Sequence, residues 1–223
     1  EKEKEKEKEK EKEKEMGDSS KEEAAKKKKN YALEQAYLHS ARQGRMDGLI
    51  SALTQGIDPH VTDSKQRNIA HQLAFYLPAS SSNNKNNKMF LKEIFYLFET
   101  HKIDVNAGDY QGDTPLHLCA RKGNVPVITH LLKFGAKMDI TNHEQFNPFH
   151  VAAECNSSDA LKLMYHSNPK IMATEGPDGW SSLHFACSGE ALLSVVVLLD
   201  RGADASRPDN DGNTPLHISC IQA

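Results

Sequence analysis

Residues 109–120 read D-Y-Q-G-D-T-P-L-H-L-C-A, and the chain repeats that phrase three more times. Residues 142–153 read N-H-E-Q-F-N-P-F-H-V-A-A, residues 176–187 G-P-D-G-W-S-S-L-H-F-A-C, and residues 209–220 D-N-D-G-N-T-P-L-H-I-S-C. The histidines fall at 117, 150, 184 and 217, in steps of 33, 34 and 33. Self-similarity at this period marks a stack of supersecondary units, each burying its apolar face only against its neighbours. Such a stack presents a long surface rather than one pocket, so binding is its default function.

The chemistry of the phrase explains its composition. Gly212 suits a turn with positive φ, Thr214 a helix cap, and Pro215 the first helical position, where a missing N–H costs nothing. Leu216 is placed for the core, and small residues follow it before a break at Gly123 or Asn156. A second helix carries Ile128, Leu131 and Leu132 and opens at Pro126 behind Asn124. Gly135, Asn168 or Gly202 ends it, residue types that tolerate the left-handed conformation.

Two degenerate copies come first. Leu33, Ala36, Tyr37 and Ala41, then Met46, Leu49, Ile50 and Leu53, keep helical spacing around Gly44 and Gly56. Leu38 stands in the histidine slot and no hairpin precedes it, as suits a terminal unit. The second copy keeps Asp63 and His71 but lacks the Gly and Pro. From His71 to His117 is 46 residues, 13 more than the repeat, and the excess falls on a Ser- and Asn-rich stretch. We expect a polar, mobile insertion loop over residues 79–88, with the second helix resuming near Met89 through Phe90, Leu91, Ile94, Phe95, Leu97 and Phe98.

T-P-L-H-x-A within a period of about 33 resembles the ankyrin-repeat family, over residues 32–223 and roughly six units. The resemblance implies an all-α solenoid of helix pairs with β-hairpin fingers, here residues 30–223, whose finger tips and inner helix faces bind partner proteins. It also implies that His71, His117, His150, His184 and His217 hydrogen-bond within and between repeats. The sequence departs from the pattern where Gln145 and Asn147 replace Gly and Thr and Ser182 replaces Pro; looser turns or caps are expected there. The last repeat stops after its first helix, leaving Leu216 and Ile218 without a second helix above them. Continuation of the natural protein is therefore expected. A regulatory or targeting segment of a larger enzyme or channel is the rival to a protein-binding scaffold or adaptor.

Residues 1–15 alternate Glu and Lys without an apolar side chain, so residues 1–29 are expected to form a disordered, charged tail. Met16 to Lys21 resembles a myristoylation start, but Met16 is internal and Lys21 stands where Ser or Thr is wanted. Lys26 to Lys29 reads as a solvated run or a nuclear-import patch. Net charge is −3, which argues for neither a nucleic acid nor a membrane surface. The longest apolar stretch, Ala191 to Leu199, is too short to span a bilayer. Cysteines at 119, 155, 187 and 220 sit mostly in alanine slots one repeat apart, too distant to pair, so a reducing, intracellular location is expected.

No paired His/Cys spacing and no nucleophile or phosphate-loop motif occurs, so neither catalysis, metal nor cofactor is expected. Function is expected at positions the framework leaves free: Tyr110, Gln111 and Asp113; His143, Glu144 and Phe146; Asp178 and Trp180; and Asn210, Asp211 and Asn213. Arg121, Lys122 and Glu154 join them from the inner helix ends. Tyr110, Phe146 and Trp180 are read as aromatic anchors. The competing reading packs Phe146 and Trp180 sideways onto neighbouring fingers. The acidic tips favour a partner with basic or amide groups over a nucleic acid. Asn106 resembles a hydroxylated hairpin asparagine, though Phe98 replaces the usual upstream leucine; the alternative is an Asn that fixes the turn.

Overall fold

The computed structural model describes residues 26–77 and 85–222, together with residue 23. The remaining charged tail, the Met16 to Lys21 segment and much of the 79–88 stretch lie outside the described residues. Helix α1 covers residues 26–43. It is followed by α2 (Met46–Thr54), α3 (Ile69–Tyr76), α4 (Lys85–His101), α5 (Pro115–Lys122) and α6 (Val125–Lys133). Then come α7 (Pro148–Glu154), α8 (Ser158–Ser167), α9 (Ser182–Ser188), α10 (Leu192–Asp200) and α11 (Pro215–Gln222). Two short 3₁₀ segments, Pro169–Ala173 and Pro177–Gly179, separate α8 from α9. The first helices α3, α5, α7, α9 and α11 pack consecutively in one layer, and the second helices α4, α6, α8 and α10 in another. No described residue lies in a β-strand; the fingers are tight turns.

Each turn places its helix start. In α5, the Thr114 N–H donates to His117 Nδ1 at 3.0 Å, so the ring proton sits on Nε2. Nε2 then donates to the Phe146 carbonyl of the next finger at 2.9 Å. His71 reaches the Asp113 carbonyl at 3.0 Å and His184 the Asn213 carbonyl at 3.0 Å in the same way. His150 uses Thr174 instead, at 3.2 Å, because one extra residue and the 3₁₀ turns reroute the chain there. The histidines are rungs between units. Burial lowers the pKa of His71 and His117 and takes His150 down to about 4, keeping each ring neutral.

Two of the three departures from the repeated phrase keep the local geometry. Gln145 keeps the left-handed turn at φ 64°, and Asn147 caps α7 by accepting the His150 N–H at 2.9 Å. At position 182, serine replaces proline with a buried hydroxyl that lacks a hydrogen-bond partner among the described residues. One expectation fails at Asn168: it ends α8 in an extended conformation, φ −152°, and its side chain caps the following 3₁₀ turn. A left-handed exit would point the chain away from that turn.

Packing follows the apolar periodicity. Phe90, Leu91, Ile94, Phe95, Leu97 and Phe98 are all buried, and Leu38 is buried in the histidine slot. Helix α4 starts at Lys85, inside the stretch read as loop and four residues before Met89; Lys and Asn extend the helix where no apolar signal marks them. Helix α1 similarly reaches back to residue 26 through the lysine run. In the last unit Leu216 is exposed, but Ile218 is buried, contrary to expectation, because α11 packs this face on α9. Of the four unpaired cysteines only Cys119 is buried, where desolvation raises its pKa; Cys155 and Cys220 are exposed.

Candidate protein-binding surface

The five fingers share one closure. The first residue donates its N–H to the carbonyl of the fifth: Asp63 to Arg67 at 3.0 Å, Asp109 to Asp113 at 2.9 Å and Asn142 to Phe146 at 2.9 Å. Gly176 to Trp180 and Asp209 to Asn213 close likewise, both at 2.8 Å. The Asp109 carboxylate also accepts the N–H groups of Gln111 and Asp113. Gly112 turns at φ 78°, and a Cβ there would come within 3.0 Å of the His143 nitrogen. Neighbouring fingers join through single backbone bonds: Tyr110 to Lys65 at 3.0 Å, His143 to Gln111 and Asn210 to Asp178, both at 2.9 Å. No such bond joins the 142–146 finger to the 176–180 finger among the described residues.

Rings replace it. Phe185 rises from α9 between the two fingers, 4.8 Å from Phe146, 5.3 Å from Trp180 and 4.7 Å from His150, centroid to centroid. Gly176 makes room: a Cβ on it would stand 2.5 Å from the Phe185 ring. Phe146 and Trp180 are therefore half-buried against the core, Phe146 on a ring of the next unit and Trp180 on His184 and Phe185 of its own rather than on a neighbouring finger. Tyr110 alone of the three aromatics is exposed, with the Lys65 ammonium 5.8 Å from its ring centroid.

The other candidates divide. Gln111, His143, Glu144, Asp178, Asn210 and Asp211 are exposed tips, and Asn213 is half-buried under the rung from His184. Asp113 is not a free tip residue. It is buried, accepting from Arg121 at 3.0 Å and from Asn142 at 2.8 Å, because its side chain points along the stack. Arg121 keeps an exposed edge, while Lys122 donates to the Phe75 carbonyl with its ammonium 4.1 Å from that ring's centroid. Burial raises the Glu154 pKa, Arg121 opposes the shift and Glu144 adds to it, so these three charges share one neighbourhood. Asn106 bridges units, accepting the Lys137 N–H at 2.8 Å and donating to the Gly135 carbonyl at 3.1 Å. Among the described residues no group of three or more His, Cys, Asp or Glu is arranged to hold a metal, and no helix is long and apolar enough to cross a membrane.

Sequence reasoning passed over the cations and rings of the degenerate units. Arg42 donates to Gln72 at 2.7 Å and to Asp63 at 3.4 Å, and lies 5.1 Å from the Tyr76 ring centroid. Arg67 donates to Asp109 at 3.0 Å and lies 5.0 Å from the Phe75 ring centroid. Counting four and five residues past each histidine slot exposes the row: Arg42 and Gln43, Phe75 and Tyr76, Arg121 and Lys122, Glu154 and Cys155.

Comparison with known proteins agrees with this architecture. The family profile described as ankyrin repeats (3 copies) matches residues 37–142, 79–175 and 149–223. The chain is 33% identical over 120 residues to the nuclear factor NF-kappa-B p105 subunit of Gallus gallus, covering 52% of this chain and 12% of that protein. It is 30% identical over 130 residues to the transient receptor potential channel pyrexia of Drosophila melanogaster, covering 58% and 13%. The human ankyrin repeat and SOCS box protein 3 is 34% identical over 101 residues, covering 44% and 20%. The match thus spans a fifth or less of each of these relatives.

Proposed function

The chain belongs to the ankyrin-repeat family, and we propose that it is a protein-binding module that holds its partner along the finger tips and first-helix ends. One observation carries this reading: the phrase shared by the repeats is spent on the scaffold, while residues that vary between repeats at the middle of the fingers form an exposed row. Thr114, His117 and Leu116 are buried, whereas Tyr110, Gln111, His143, Glu144, Asp178 and Asp211 are exposed on adjoining fingers. A row on rigid turns presents side chains whose ordering cost on binding is small. The module acts without cofactor or catalysis, inside the cell, where the four unpaired cysteines are kept reduced. A second reading places it as the interaction segment of a longer polypeptide. The short share of each matched relative favours this, since those relatives carry their matched segment within much more chain.

The test is site-specific photo-crosslinking in cells. A photoreactive residue at Tyr110 or Glu144 should capture a discrete partner, and one at Lys133 or Lys162, on the second-helix layer, should not. Equal capture at all four positions, or capture only from the second-helix layer, would overturn the reading.

A further inference from the structure

The first three repeats carry a surface of different character from the acidic tips further along. Three ion pairs run along it, Arg42–Asp63, Arg67–Asp109 and Arg121–Asp113. In each the carboxylate lies deeper than its guanidinium: side-chain exposures are 12, 0 and 1% for the acids against 30, 10 and 43% for the arginines. The negative charge is therefore consumed inside the stack. Further hydrogen bonds complete this. Asp63 accepts from Gln72 and from the Arg67 and Lys65 N–H groups, and although burial raises its pKa these bonds hold it below the usual carboxylate range.

What faces outward is cationic and aromatic. Arg42 and Arg121 turn part of their guanidinium edges toward solvent, five N–H donors being more than their two acceptors use. Lys65 and Lys122 are exposed beside them. Tyr76 and Tyr110 are exposed, each with a cation near its ring at 5.1 and 5.8 Å, and Phe75 lies between Arg67 and Lys122. Rings already held by cations are pre-ordered, so an incoming apolar group meets a fixed surface. The row ends at Glu154 and Glu144, which limit its length.

Resting on the protein-binding reading, we infer that this row is the docking site for an acidic peptide segment, one in which Asp or Glu side chains flank an aromatic or large aliphatic residue. The carboxylates meet Arg42, Lys65, Arg121 and Lys122, and the apolar residue lies against Tyr76 and Tyr110. Charge complementarity favours this occupant, since the carboxylates paired with Arg42 and Arg121 lie deeper than their guanidiniums and leave the outer face of the row cationic toward an incoming anion. A peptide is favoured over a nucleic acid because a longer polyanion would run onto Glu144 and Glu154.

The experiment uses the full chain, immobilised, against a displayed library of random peptides. Peptides with Asp or Glu flanking an aromatic or aliphatic residue should be enriched. The best of these, labelled for fluorescence anisotropy, should bind roughly tenfold more weakly to the Lys65→Glu and Arg121→Gln variants and several-fold more weakly to Tyr110→Ala. Added salt should weaken it further, whereas Lys162→Glu, on the second-helix layer, should leave it unchanged. Circular dichroism melting of each variant separates lost contact from lost fold. Enrichment of basic or uncharged peptides, indifference to Lys65→Glu in a folded variant, or tighter binding of a single-stranded oligonucleotide would overturn the inference. Cross-linking at Glu144 without any acidic enrichment would leave the protein-binding reading standing and remove this one; loss of both would remove both.

Discussion

The fingers of the second and third repeats are locked by charges, and those of the fourth and fifth by rings. At the first junction Arg67 enters the Asp109 carboxylate, and at the next Asp113 takes Asn142. One junction further on, the same positions hold Phe146 and Gly176, and Phe185 fills the gap the glycine leaves. The fifth finger residue is Arg67, Asp113, Phe146, Trp180 and Asn213 in turn, so one backbone slot accepts ion pair, amide bond or aromatic packing. The scaffold specifies where neighbouring fingers meet and leaves open what holds them. Ion pairs leave arginine edges for a partner, whereas rings spend themselves on the stack.

Breaking the ring junction should have the largest effect. Phe185→Ala removes a buried ring that touches both fingers and should cost about 3–5 kcal/mol in denaturant unfolding. Gly176→Ala should be destabilising by about 1–3 kcal/mol, and because Gly176 has φ −92° the cause is steric rather than backbone strain. Combined with Phe185→Leu, the alanine should be tolerated far better. Equal costs in both backgrounds would show that Gly176 serves something other than the ring.

The charged junction comes next. Asp109→Ala leaves the Arg67 guanidinium buried without its partner and should cost about 3 kcal/mol, with added salt changing the loss little because the pair is shielded. A loss below about 1 kcal/mol, the range of exposed pairs, would mean that water reaches this junction.

Much of this was legible in the sequence, and the missing part has a common cause. The period, the caps, the histidine slots and the apolar faces are local signals, so the helix pairs follow from them. The finger junctions depend on residues far apart in the chain, such as Arg67 and Asp109 at a separation of 42, which only the register of the stack brings together. Asp113 read as a free tip residue for that reason, and Phe146 and Trp180 could not be separated from Tyr110. The tip aromatics differ in whether a core ring reaches them: Phe185 reaches Phe146 from the next unit and Trp180 from within its own, while the Lys65 ammonium lies beside Tyr110. Lys85 to Lys88 read as loop because a polar helix start has no apolar periodicity.

Acid should act on both junctions through the histidine rungs. His150 titrates at about 4 when folded against about 6.5 unfolded, so the fold favours its neutral form. Its contribution is present above pH 6.5 and is lost as pH falls from there toward 4, by up to about 3 kcal/mol at roughly 1.4 kcal/mol per unit. His71 and His117 shift in the same direction. Stability followed from pH 7 to pH 4 should fall, and less steeply in His150→Gln. A flat profile would mean that the folded protein protonates these rings as readily as the unfolded chain does.

The two exposed-looking aromatics give the finest test. Trp180→Ala should cost about 1–2 kcal/mol of stability, since half of its ring packs on Phe185 and His184. Tyr110→Ala should move stability by less than about 0.5 kcal/mol, because its ring is exposed outside the core with the Lys65 ammonium beside it. For binding the order should reverse, with Tyr110→Ala weakening a partner several-fold and Trp180→Ala doing so only as far as the finger shifts. The physical ground is that one side chain cannot give the same face to the fold and to a partner. Measuring melting and affinity together on both variants decides whether the two junctions differ in function as they do in chemistry. If Trp180→Ala weakens binding as strongly as Tyr110→Ala while the melt of Trp180→Ala is unchanged, the ring junction also faces the partner, and the division between a charged binding half and a packed half is wrong.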